Sequence, residues 1–95
     1  ADAVKTSNYE IDPMDVGILG DSSSGNITLT LPNMGDKSPG RQYNIKNVGT
    51  ANKCVVNTGD SKLIDGVASV DLGAKGAATF LACSSSAGGY FWSVL

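Results

Sequence analysis

The stretch Gly25-Asn26-Ile27-Thr28-Leu29-Thr30-Leu31-Pro32 decides the fold class. Apolar and polar residues alternate from Ile27 to Leu31, so Ile27, Leu29 and Leu31 fall on one side of an extended chain and Thr28 and Thr30 on the other. This is the pattern of a strand with one buried face. Pro32 ends it, having no N–H to give to a ladder. Gly25 closes the polar turn cluster Asp21-Ser22-Ser23-Ser24-Gly25-Asn26 that precedes it.

The same reading extends in both directions. Upstream, Val16-Gly17-Ile18-Leu19-Gly20 is a second apolar run that the turn cluster joins to the first. Downstream, Pro39-Gly40 is a turn signal, and Arg41 to Asn47 alternates again with Tyr43 and Ile45 inward and Arg41 and Lys46 outward. The turn Gly49-Thr50-Ala51-Asn52 leads into Cys54-Val55-Val56-Asn57. Leu63-Ile64 runs into Asp65-Gly66, a dipeptide suited to the positive φ of a type I′ hairpin turn. Val70-Asp71-Leu72, the turn Gly73-Ala74-Lys75-Gly76, the run Ala77 to Ala82, a loop from Ser84 to Gly89 and the segment Tyr90 to Leu95 complete the chain. Turns at intervals of roughly 8–12 residues, with no sustained helical periodicity, predict an all-β fold. The expected form is a compact antiparallel β-sandwich or jelly-roll-like domain of about eight or nine short strands without substantial helix. It occupies residues 9–95, behind a polar N-terminal arm over residues 1–8.

Composition narrows the function classes. The 95 residues make one small domain, and a chain of this size gains from a partner subunit because its core is thin. With 41% hydrophobic and 17% charged residues it folds. A formal charge of −2, with Lys5, Lys37, Arg41, Lys46, Lys53, Lys62 and Lys75 scattered singly, argues against nucleic acid as a partner, because phosphate binding needs clustered cations. No apolar run reaches the roughly 20 residues of a membrane helix. The opening Ala1-Asp2-Ala3 is what removal of an initiator Met leaves, which fits a complete gene product, with a processed fragment as the alternative.

The sequence contains no histidine. That removes the commonest general base, the usual activator of Ser or Cys nucleophiles and the usual catalytic zinc ligand. Of the remaining candidates for acid–base work, Asp12 with Asp15 and Asp60 with Asp65 each lie beside Pro or Gly, where Asp caps turn amides. Cys54 and Cys83 lack zinc-ligand spacing and read as reduced, small hydrophobes within strands, although pairing would close a loop of about 30 residues worth roughly 3–4 kcal/mol. The glycines form no phosphate-binding motif. Asn26-Ile27-Thr28 matches a glycosylation acceptor by chance. No catalytic residue, cofactor or metal site is expected.

Function is therefore sought in surfaces. Ala1, Asp2, Ala3, Val4, Lys5 and Thr6 form either a frayed end or an arm that docks on a partner. Tyr90, Phe91, Trp92, Val94 and Leu95 form a strand apolar on both faces, with Trp92 and Val94 on one and Phe91 and Leu95 on the other. Such a strand is buried on two sides or has one side covered by a neighbouring subunit. Gly25, Pro32, Asp65 and Gly66 serve as structural turn residues.

The order of segments Tyr9-Glu10-Ile11-Asp12-Pro13, Val16 to Gly20, Gly25 to Pro32, Tyr43 to Asn47, Leu63-Ile64-Asp65-Gly66 and Gly89-Tyr90-Phe91-Trp92-Ser93-Val94 resembles small β-domains of tailed-bacteriophage virion proteins. Such domains occur in capsid decoration proteins and in tail-fibre, tailspike and needle knobs. The resemblance implies a homotrimer on the virion, made in the host cytoplasm. Fibre and tailspike versions follow a stalk, and no heptad or β-helical stalk lies within this sequence. The expectation is accordingly a capsid decoration protein that binds the major capsid protein and stabilises the assembled head. The alternative is a fibre-tip module binding a host glycan or protein through the loops Asn33 to Arg41 and Ser84 to Gly89. A non-viral adhesin or carbohydrate-binding module follows behind these, with Tyr90, Phe91 and Trp92 as a stacking platform.

Overall fold

The computed structural model describes residues 3–33, 40–84 and 89–95, and among them the chain forms eight strands and no helix. The strands are β1 (Tyr9–Glu10), β2 (Gly17–Gly20), β3 (Ile27–Leu31), β4 (Gln42–Asn47), β5 (Lys53–Thr58), β6 (Ser69–Gly73), β7 (Ala77–Ser84) and β8 (Tyr90–Val94). They build two four-stranded sheets, one ordered β1-β3-β5-β6 and the other β2-β4-β7-β8.

The expected antiparallel order is corrected by the structure, because both sheets are mixed. The pairs β1–β3, β3–β5 and β2–β4 are parallel, while β5–β6, β4–β7 and β7–β8 are antiparallel. Parallel neighbours need a crossover connection, and here each crossover is a strand of the opposite sheet. From β1 to β5 the chain alternates between the sheets and winds as a flattened coil. Period-two alternation is the same in parallel and antiparallel strands, so it carries no information on this point. Polar turns such as 21–26 and 48–52 lead across to the other sheet instead of folding back as hairpins.

Parallel register stacks like side chains in rows. Ile27 lies beside Cys54 and Leu29 beside Val56, and Ile18 beside Ile45. These inward residues meet Tyr43, Phe80, Ala82, Leu72 and Trp92 in one core to which both sheets contribute. Burying a residue such as Leu29, which is fully enclosed, stabilises the fold by about 2 kcal/mol. The Trp92 ring packs tilted against Tyr43, with centroids 5.8 Å apart.

The type I′ turn expected at Asp65-Gly66 is present, with φ of 49° and 82° and reciprocal bonds between Ile64 and Val67. This hairpin lies on the outer edge of β8. The Trp92 amide donates to Leu63 O, the Asp65 amide donates to Trp92 O, and Asp65 Oδ2 accepts from the Val94 amide. An edge that would otherwise offer its backbone groups to another chain is thereby covered.

Candidate functional site

The outward sides of the two sheets differ in chemistry. On the sheet of β1, outward positions carry Glu10, Thr28, Thr30, Lys53, Val55, Asn57, Ser69 and Asp71, with Lys53 and Asp71 ion-paired at 2.8 Å. On the sheet of β2 they carry Gly17 and Leu19, then Gln42, Asn44 and Lys46, then Ala77, Thr79, Leu81 and Cys83, and finally Phe91 and Ser93, with Leu95 just beyond β8. The first face is polar apart from Val55; the second carries apolar residues on β2, β7 and β8 on either side of the polar outward positions of β4.

Register organises the second face into rows. Gly17 stands beside Asn44 and Asn44 beside Thr79, whose carbonyl accepts from the Leu95 amide. Leu19, Lys46 and Ala77 form the next row. Because Gly17 and Ala77 are small, the rows enclose an open groove of about 570 Å³ rimmed by Leu19 and Leu95. Thr79 Oγ1 donates to Asn44 Oδ1 at 2.7 Å, which partly satisfies the polar groups at the groove centre. Leu19, Phe91 and Leu95 are all exposed, Leu95 by 66%.

The residues singled out by sequence are dispersed. In the arm, Ala1 and Asp2 lie outside the described residues. Ala3, Val4 and Thr6 are exposed, and Lys5 is bridged to Gly20. The Lys5 amide donates to Leu19 O and its carbonyl accepts from the Asp21 amide, while its ammonium lies 4.2 Å from the Tyr9 ring centroid. The arm is thus fastened along the free edge of β2. In β8, Trp92 is buried and Val94 packs against the core, whereas Phe91 and Leu95 face outward. Tyr90 is half-buried with the Lys62 ammonium 6.0 Å from its ring centroid. Among the turn residues, the Gly25 amide donates to Ser22 O and Pro32 is buried directly after β3.

The aspartates are engaged by their turns. Asp12 Oδ1 accepts from the Met14 amide, and Asp15 Oδ2 accepts from the Tyr9 hydroxyl at 2.6 Å and from the Asp12 amide. The bond to Asp15 raises the pKa of Tyr9, with burial adding to it. Asp60 Oδ1 accepts from the Lys62 amide. Asp21 accepts from the Ser23 amide, and hydrogen bonding by Ser23 holds its carboxyl below the ordinary value. Among the described residues no three His, Cys, Asp or Glu side chains gather as a metal site. The Asn26 carbonyl oxygen of the sequon match accepts from the Lys53 amide.

Sequence reading marked Phe91 and Leu95 but missed Gly17, Leu19, Ala77 and Thr79, which complete the groove. The available signal was Leu19 and Leu81 at outward positions of otherwise alternating strands. No family model, curated protein or solved structure matches this chain.

Proposed function

We propose that this chain is a bacteriophage virion component that works by assembly, in first place a capsid decoration protein that binds the assembled head as a homotrimer and stabilises it. The observation that carries the reading is the exposure of Leu19, Phe91 and Leu95 on the outward face of the sheet of β2, set against the almost wholly polar outward face of the sheet of β1. Large apolar side chains left exposed around a groove on a small domain mark an interaction site. Two sheets sharing one core also support a β-sandwich architecture, in which each sheet has one side left for partners. The Asp12 and Asp15 carboxylates bind backbone amides of their own turn, and the sequence supplies no histidine to act as a base.

The mechanism is additive. A protein that binds the assembled shell and not its free subunits stabilises the shell by linkage, and repetition about a symmetry axis raises avidity without any strong single contact. The arm, fastened at Lys5 with Val4 exposed before it, offers one contact to the shell. The test is to add purified protein to undecorated heads of the phage that encodes it. Regular occupancy with increased resistance to heat is expected.

One observation favours a fibre-tip module as the second reading. The Gly40 amide donates to Ala82 O and the Ala82 amide donates to Arg41 O. The end of the first loop at Gly40 and Arg41 therefore lies beside Ala82, two residues before the second loop begins, while 34–39 and 85–88 lie outside the described residues. Failure to bind heads, together with binding to host envelope glycan, would select this reading.

A further inference from the structure

We infer that the outward face of the sheet of β1 carries a binding site for a neutral saccharide, built from Glu10, Thr30, Asn33 and Asn57. The site lies on the opposite sheet from the exposed Leu19, Phe91 and Leu95, and it does not depend on the assembly reading.

Unused hydrogen-bonding groups gather there. Among the described Asp, Glu, Asn and Gln side chains, Glu10, Asn33, Gln42 and Asn57 are the four that make no hydrogen bond or ion pair. Gln42 stands on the other sheet, whereas the remaining three surround Thr30. Register sets Glu10 beside Thr30 and Thr30 beside Asn57, all three at outward positions. A Cβ added to Gly59 would lie 2.9 Å from Asn33 Oδ1 and 3.4 Å from the Thr30 methyl, so the bare backbone at Gly59 leaves room for the Asn33 amide next to Thr30. Glu10, Thr30 and Asn33 line a cleft of about 380 Å³ together with Ile11, Pro13 and Pro32, a size that suits a small ligand. Beside Thr30, Asn57 Oδ1 is enclosed without a donor, a cost to the fold that a ligand hydroxyl removes.

The donors and acceptors select the ligand class. A carboxylate accepts from hydroxyls, and a carboxamide both donates and accepts. Together they match adjacent sugar hydroxyls, each of which also does both, while Pro13 and Pro32 offer apolar surface to the C–H groups of a sugar ring. A phosphorylated or otherwise anionic ligand would meet the Glu10 carboxylate with no cation lining the cleft. A calcium ion takes roughly 6–8 oxygen ligands, carboxylates prominent among them, and Glu10 is the one carboxylate lining this cleft among the described residues. A basic side chain from a protein partner would find one exposed carboxylate, a pair worth little in water, and would leave the carboxamides unused.

The test is a titration of the chain with the methyl glycosides of glucose, galactose, mannose and N-acetylglucosamine, each to tens of millimolar, followed by backbone amide shifts in proton–nitrogen correlation spectra. Saturable shifts at Glu10, Thr30, Asn33 and Asn57 are expected from at least one glycoside, with a dissociation constant in the millimolar range. Glu10→Ala and Asn33→Ala, both at exposed positions, should each weaken that binding about tenfold by removing a hydrogen-bonding partner. Gln42→Ala, which removes the unengaged amide of the other sheet, should leave it unchanged. Trp92 emission confirms that each variant is folded. No saturable shift with any of the four glycosides would overturn the proposal, as would binding indifferent to both Glu10→Ala and Asn33→Ala. Saturation of the same amides by calcium chloride or by a lysine-rich peptide in place of the glycosides would overturn it as well. Heads are absent from this titration, so the two readings fail separately: saccharide binding without head binding sinks only the decoration role, and head binding without saccharide binding sinks only this site.

Discussion

The side-chain amide of Asn47 donates to Ser22 Oγ at 2.7 Å, and both residues are fully buried. The same amide donates to Leu72 O at 3.0 Å, Asn47 Oδ1 accepts from the Gly49 amide, and the Ser22 hydroxyl donates to Ala51 O. One side chain thus ties the β2–β3 turn, the β4–β5 turn and the end of β6, which belong to different sheets. This is how a coil whose strands alternate between sheets fixes its end.

Asn47→Ala is expected to destabilise the fold by roughly 2–5 kcal/mol, because it leaves the buried Gly49 amide without its acceptor and takes a donor from both Ser22 Oγ and the Leu72 carbonyl. Chemical denaturation followed by Trp92 emission measures the loss. A cost below about 1 kcal/mol would mean that water replaces Asn47 and that the tie is dispensable.

Two glycines separate crowding from exposure. A Cβ on Gly49 would lie 2.8 Å from the Ser22 amide nitrogen and 2.9 Å from Asp21 and Asn47 oxygens, so Gly49→Ala must displace the same knot and is expected to cost about 2 kcal/mol. Gly17→Ala meets nothing within 4 Å and should stay within about 0.5 kcal/mol of wild type. Equal effects at both positions in thermal unfolding would refute the crowding argument.

Gly66 isolates backbone strain. Its φ is +82° and its added Cβ has open space, so any penalty in Gly66→Ala comes from the left-handed conformation alone. The expected cost is about 1 kcal/mol. Since the hairpin it closes bonds to Trp92 and Val94, amide hydrogen exchange at the outer edge of β8 should quicken in this variant before exchange at β4 does.

Strand positions were legible in the sequence because one-sided burial writes itself as alternation. Ile27–Leu31 was bounded as the structure bounds it, and Tyr43 and Ile45 point inward as their spacing requires. Strand direction was not legible. The turn 48–52 looks alike whether the next strand pairs in the same sheet or the opposite one. The docking of Lys5 beside Gly20 was also hidden, since it uses backbone groups that every residue carries. Of the candidate surface, Phe91 and Leu95 showed as an apolar excess in the last strand. Gly17 and Ala77 became meaningful only once register set their rows beside Leu19 and Lys46.

The two cysteines offer the last prediction. Cys54 faces the core from β5 with no exposed surface, its sulfur 2.8 Å from where a Cβ on Gly20 would stand, whereas Cys83 faces outward on β7 and is half-buried. Both are free thiols. Burial raises the Cys54 pKa above its ordinary value, because a thiolate in the core lacks solvation. A raised folded pKa means that the native state holds its proton where the unfolded chain has released it. The resulting stability is complete below the unfolded thiol pKa, about 8.5, and is lost as pH rises through the folded value. Tyr9, raised through its bond to Asp15, acts with the same sign further into the alkaline range. Unfolding free energy should therefore fall from about pH 8.5 upward, and Cys54→Ala should flatten the start of that decline despite its lower stability at neutral pH. In a thiol-labelling time course at neutral pH, Cys83 should react promptly and Cys54 only as the protein unfolds. Labelling of both at one rate would show that the core opens around β5 far more readily than its packing implies.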